Sequence, residues 1–243
     1  LTVFTATMVW LLVRDAPGKR QAQPTSANSF GSTVRGVRTV ALNRQLQLLL
    51  PLNTVAYGSI MVVLGLWGIP YLRDVHGMDT VAAANLLMAM ALSSMGGGLA
   101  YAWLAPRLGS IKYLVLSGSV GTASIFVVLA ILPPTSQYIL LVLFTVHGFI
   151  GAYPVLIISH VRMIVPKDLM GRGLTLSNLF SFGGVGLLQL ISGWIIGFFS
   201  VIEGARVPLA YTTLFLCVAF ISGLAVLIYT WIRDPDLTTP QAS

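Results

Sequence analysis

The stretch from Leu209 to Ile232 reads LAYTTLFLCVAFISGLAVLIYTWI, 24 residues without a single charge. That is the length of an α-helix crossing the roughly 30 Å hydrocarbon layer of a bilayer, about 20 residues. Working outward from it, similar apolar stretches run at 48–70, 80–103, 111–132, 138–161 and 174–199. A shorter one, 1–13, is too short to cross and is read as the tail of a preceding membrane helix. Lipid tolerates only helices and closed barrels, because every backbone polar group must be satisfied internally. Barrels show short alternating segments instead of 20-residue apolar runs. The expected fold is therefore an all-α integral membrane bundle of six helices over 48–232, plus that preceding tail.

The charges fix an orientation. If residues 14–47 are cytoplasmic, Arg14, Lys19, Arg20, Arg35, Arg38, Arg44, Arg107, Lys112, Arg162, Lys167, Arg172 and Arg233 all fall inside. Only Arg73 and Arg206 fall outside. The acids show no such bias: Asp15, Asp168, Asp234 and Asp236 lie inside, Asp74, Asp79 and Glu203 outside. A bias carried by Lys and Arg alone is the positive-inside pattern. It predicts a multi-pass protein of the cell's inner (plasma) membrane, with 14–47 and the 233–243 tail cytoplasmic.

Composition agrees. The chain is 56% hydrophobic and 9% charged, against about 25% charged in soluble domains. Its net charge of +7 is spread over cytoplasmic loops, which suits orientation and anionic headgroups better than nucleic acid. The single cysteine, Cys217, rules out a disulfide framework or a Cys-based metal site within one chain. No nucleotide-binding loop, catalytic triad or metal constellation is visible. The expectation is no enzyme, no cofactor and no metal. The chain does not begin with Met, so the natural protein is expected to extend upstream.

Residues 14–47 carry Pro17, Pro24 and many Gly, Ser, Thr and Arg, a polar basic linker with little to bury. Its end, Val34 to Leu50, is weakly amphipathic. The six spans divide into 48–132 and 138–232, three each. The first of each triplet is interrupted: Pro51, Gly58, Gly65 and Gly68 in one, Gly148, Gly151 and Pro154 in the other. Matched interrupted helices point to a transporter binding site.

Polar groups in hydrocarbon face a partner helix or a wet cavity. His147 is the ionisable residue near the centre of a span, with Gly151 and Pro154 within about 40° of it on a helical wheel. It is read as a proton or substrate contact, or as a neutral histidine bonded to a neighbouring helix. Asn53 and Tyr57 share a stripe with Ile60, Leu64 and Trp67, and are read as substrate contacts or as interhelical hydrogen bonds. Asn178 and Gln189 align with Phe182 and Ser192, with the same two readings. Gly183, Gly184, Gly186, Gly193 and Gly197 suit close helix packing. His160, at a cytoplasmic helix end, is expected to be solvated or at headgroups. Arg73 and Asp74 are expected to pair with each other or to be solvated at the outer mouth.

Three stretches resemble one family. They are Gly65-Leu66-Trp67-Gly68-Ile69-Pro70-Tyr71-Leu72-Arg73-Asp74, the loop Leu104-Ala105-Pro106-Arg107-Leu108-Gly109-Ser110-Ile111-Lys112, and Pro166 through Asn178 with Gly171-Arg172-Gly173. In order and spacing they resemble the C-terminal half of major facilitator superfamily secondary transporters, near the sugar-phosphate permeases. The loop copy is degraded, because Pro106 stands where the motif usually has Asp, leaving Arg107, Gly109 and Lys112. The resemblance implies alternating access for a small-molecule substrate between two six-helix halves, with proton coupling. It implies that the helices of His147 and of Asn53 and Tyr57 line the cavity, and that the partner is a missing N-terminal half. Other readings are a transporter-like sensor that binds a solute and signals, or an inactive gene fragment.

Overall fold

The computed structural model describes residues 7–8, 30–202 and 205–234. The apolar stretch at 1–13, Thr7 and Met8 apart, and the tail beyond 234 lie outside the described residues. The chain forms two units, 1–35 and 36–243. In the first, residues 7–8 and 30–35 are helical; the spans described below belong to the second.

Six helical spans are long and apolar enough to cross a membrane: Arg44–Asp74, Thr80–Leu108, Ile111–Ile131, Gln137–Ile164, Lys167–Gly197 and Pro208–Thr230. They are called the first to sixth spans. Their starts follow from capping chemistry. Asn43 Oδ1 accepts from the amides of Gln45 and Leu46 at 2.9 and 3.4 Å. Asp79 Oδ1 does the same for Val81 and Ala82 at 2.8 and 3.1 Å. Ser110 Oγ caps Tyr113 at 3.2 Å, and Pro208 sits in the first turn of the sixth span. Each cap satisfies amides that have no intrahelical partner. Asn43 therefore moves the start of the first span four residues ahead of the apolar run. Within the stretch read as a polar linker, Phe30–Ala41 is an α-helix, with Val34, Val37 and Val40 three residues apart.

Both interrupted helices are real interruptions. The first span passes through a π-helical turn, Val63–Trp67, before resuming at Gly68. A Cβ on Gly68 would lie 2.5 Å from Val63 O, a backbone atom that cannot rotate aside, and 2.8 Å from Leu87 Cδ2 of the second span, so the wider turn needs glycine there. Pro51 stays inside regular helix. The fourth span breaks between Ile150 and Pro154. Pro154 has no N–H to give residue 150, and its ring would strike that carbonyl in a continuous helix.

The tightest crossings are built on glycine pairs. First and fifth spans meet at Gly58 and Gly184: a Cβ on Gly184 would be 2.7 Å from the Thr54 carbonyl carbon. Second and fourth spans meet at Gly97 and Gly148, where a Cβ would be 2.9 Å from the carbonyl carbons of Phe149 and Met90 respectively. Ser93 Oγ donates to Thr145 O at 2.7 Å across the same crossing. Close backbone approach is the usual basis of helix association in lipid. Among the described residues, the other glycines named for packing, Gly183, Gly186, Gly193 and Gly197, have no neighbour within 4 Å of a Cβ, so within this chain they make no close crossing.

Third and sixth spans pack along their length, with Thr212 Oγ1 on Ala130 O at 2.8 Å. A column of rings runs through the bundle: Tyr71 on Phe215 at 4.9 Å, Phe215 on Phe126 at 5.9 Å, Phe126 on His147 at 5.1 Å. Burial is uneven. The first span hides 61% of its apolar window, the second and fifth only 28% and 22%. A short antiparallel pair, Val201–Ile202 with Ala205–Arg206, turns the chain from the fifth span to the sixth.

Candidate functional site

The exposed arc of the fifth span has two chemically different halves. One carries Leu179, Leu187, Leu190, Trp194 and Phe198, all exposed, and suits lipid. The other carries Asn178, Phe182, Gly186, Gln189 and Gly193, which fall within about 80° of one another at 100° per residue. This second stripe borders the first span. Tyr57 meets Phe182 edge-on, with centroids 6.1 Å apart at 86°. The Gln189 amide covers Gly65: a Cβ there would lie 3.5 Å from Gln189 Nε2. That contact falls in the π turn, so the local widening of the first span and the missing side chain together make room for the amide.

A relay continues toward the end of the fifth span. Ser192 Oγ donates to Gln189 O at 2.7 Å and accepts from Trp67 Nε1 at 2.8 Å. The Arg206 guanidinium lies 5.6 Å from the Trp67 ring centre, within cation–π range. Arg206 Nη1 also donates to Ile196 O at 3.4 Å. The surface thus offers aromatic edges, two amides and a cation at its end.

Not every sequence candidate joins this surface. Tyr57 and Gln189 are half-buried along it, and Asn178 is exposed at the end nearest the start of the fifth span. Asn53 is 4% exposed. Its Nδ2 donates to Ser177 O at 2.7 Å and Ser177 Oγ at 3.1 Å, so it binds the first span to the fifth. His147 has no exposed surface. Neither of its ring nitrogens has a hydrogen-bond partner. Its neighbour on the same face, Gly151, is backed by Ile60 of the first span, whose Cδ1 would be 2.8 Å from a Cβ there.

The loop residues act elsewhere. Arg107 stacks on Trp103, 3.8 Å above the ring, and donates to the Trp103 carbonyl at 2.9 Å. Gly109 ends the second span in the left-handed region, φ +67°, which glycine adopts without steric cost. Lys112 Nζ donates to Thr230 O and Ile232 O, both at 2.7 Å, where a cation suits a helix C-terminus. Asp234 answers by accepting from Ser110 Oγ and from the Lys112 amide. The third and sixth spans are therefore clasped reciprocally at their ends.

Two expectations are corrected at the span ends. His160 is fully buried, with Nδ1 2.8 Å from the Tyr229 hydroxyl, because the end of the sixth span covers it. Asp74 takes the Tyr211 hydroxyl at 2.6 Å and the Arg206 amide at 3.3 Å, while Arg73 is exposed. The turn at 201–206 delivers Arg206 to this place, and no periodicity in the sequence signals it. In the neighbouring loop, burial pulls the His76 imidazole below its usual 6.5.

Residues 1–163 match the family model described as MFS/sugar transport protein. The chain belongs to this family. It is also 28% identical over 142 residues to the gentisate transporter of Corynebacterium glutamicum. That similarity covers 55% of this chain and 30% of the relative, so the chain spans less than a third of that protein's length. A multi-pass major facilitator chain accounts for the six apolar helices and for the glycine-built crossings.

Proposed function

We propose that the protein carrying this chain moves a small organic solute across the plasma membrane by alternating access, and that this chain is its C-terminal six-helix half. The stripe Tyr57, Phe182, Gln189 and Asn178 forms this half's wall of the solute path, with Trp67 and Arg206 at its outer end. The observation that carries the reading is that stripe: a polar and aromatic strip on an otherwise lipid-compatible helix, set against an interrupted one. Polar groups facing hydrocarbon are costly, so their exposure in this half calls for a wet cavity beside them. Three aromatic rings, two amides and a terminal guanidinium suit a flat solute bearing a carboxylate. The name of the corynebacterial relative supports an aromatic acid.

Proton coupling is part of the proposal. Its support is His147, whose two buried nitrogens lack partners in this conformation; such groups are costly and call for a partner in another state. The 14–47 segment and the C-terminus face the cytoplasm in this reading, as the charge bias requires.

The test is uptake of labelled gentisate and of a labelled hexose by the complete protein in vesicles, with and without an imposed pH gradient. Saturable uptake of the acid, with KM raised about tenfold by Gln189→Leu or Phe182→Ala, supports the reading. Hexose uptake without acid uptake overturns the solute class. Unchanged KM in both variants removes the stripe from the path.

A further inference from the structure

Where the first span begins and the sixth ends, Arg44, Gln45, Leu48, Trp231 and Arg233 line a cavity of about 300 Å³. Gln45 Oε1 accepts the Arg233 amide at 2.8 Å, which fixes the two helix ends against each other and sets the distance between the arginines. Both arginines are exposed. Among the described residues, neither guanidinium has a hydrogen-bond or ion-pair partner. The adjacent acid, Asp234, is already held by Ser110 and Lys112. The first amides of the first span are already taken by Asn43, so any anion here must be read by the guanidinium groups.

We propose that this cavity is a binding site for the phosphate headgroup of an anionic phospholipid. Guanidinium groups bind phosphate through paired N–H donors, and two arginines line this cavity with no counter-ion among the described residues. Leu48 supplies an apolar wall. Trp231 is 71% exposed beside the cavity, an indole where interfacial tryptophans normally sit. A soluble anion has no use for that apolar rim, whereas a glycerophospholipid has. The charge bias places this end at the cytoplasmic leaflet, where anionic lipids attract clustered basic residues. The site lies at the far end of the bundle from Arg206 and does not depend on the solute reading.

The complete protein, purified in neutral detergent, is titrated with phosphatidylglycerol, with phosphatidylcholine of the same chain length, and with inorganic phosphate. Native mass spectrometry reads the bound fraction. Phosphatidylglycerol is expected to bind far better than phosphatidylcholine. Basic residues near an anionic surface contribute about fivefold each, so Arg44→Gln with Arg233→Gln is expected to weaken binding roughly 30-fold. Each single variant is expected to lose about fivefold and remains informative if the pair misfolds. Arg44→Lys with Arg233→Lys keeps the charge and retains most of the binding. Equal phosphatidylglycerol binding by the glutamine pair overturns the proposal, as does phosphatidylcholine binding as well as phosphatidylglycerol. Inorganic phosphate outcompeting the lipid reassigns the site to a soluble anion and overturns it too.

Discussion

Gly183 and Gly184 are adjacent in the fifth span, and alanine at each has opposite expected consequences. At Gly184 a Cβ would sit 2.7 Å from the Thr54 carbonyl carbon and 2.9 Å from its Cα. Both are backbone atoms of the first span and cannot rotate aside. Ordinary contact begins near 3.4 Å or more, so the helices must separate by roughly 1 Å. Overpacking of this kind costs about 1–3 kcal/mol. The separation also stretches the Asn53–Ser177 hydrogen bonds, worth about 1 kcal/mol between membrane helices. The total, about 2–4 kcal/mol, corresponds to a Tm lower by roughly 5–12 °C for a unit this size. At Gly183 nothing lies within 4 Å. Alanine there only restricts the unfolded chain and favours helix, a gain of up to about 1 kcal/mol. Thermal unfolding of the complete protein in detergent, followed by size-exclusion fluorescence, reads both. A Gly184→Ala variant within 1 °C of the wild type, or equal losses at the two positions, refutes the account of this crossing.

His147→Ala is expected to abolish uptake or strip it of its pH dependence while the protein still reaches the membrane; normal rate and pH profile make His147 a packing residue. Lys112→Met removes two bonds to the end of the sixth span and is expected to cost about 1 kcal/mol, a Tm drop of roughly 2–4 °C; no change dismisses the clasp. Trp67→Phe deletes the donor to Ser192 and is expected to raise KM about fivefold, roughly 1 kcal/mol; an unaltered KM detaches the relay from the solute path. His76 resists protonation when folded because burial lowers its pKa. Its contribution is therefore complete above pH 6.5 and lost as pH falls below it. His76→Gln is expected to flatten the fall of Tm between about pH 7 and 5, and an unchanged slope rules His76 out.

The spans were legible because a bilayer admits so few solutions: 20 apolar residues in a row have one reading. Their ends were less so, since Asn43 and Asp79 set helix starts through caps that hydropathy does not register. The interruptions at Gly65–Gly68 and Gly151–Pro154 were readable from residue type, because glycine and proline act on the backbone itself. For the candidate site, residue spacing gave helix faces but not their contacts. Angle puts Asn53 and Tyr57 on one stripe and Asn178 and Gln189 on another, but angle alone does not say which stripe meets a neighbour. That is how Asn53, four residues from Tyr57 on the same stripe, came to be a bond to Ser177 instead of part of the open surface. The π turn adds a further rotation that no 3.6-residue wheel contains, and it brings Gly65 beneath Gln189. Arg206 reaches Trp67 through tertiary folding of a loop, which local pattern does not encode.

The glycine crossings have a mechanical consequence. Where two backbones touch with no side chain between them, there is no compressible layer to shear. First and fifth spans behave as one plank, second and fourth as another, each with its spacing fixed by main-chain atoms. Any flexing within this bundle must then occur along the seams between planks, which are filled by side chains that can change rotamer. The ring column from Tyr71 through Phe215 and Phe126 to His147 lies along such a seam. A hinge of rings meeting edge to face can tilt without opening a void, and at its end sits the imidazole of His147, whose two nitrogens are both buried and unbonded.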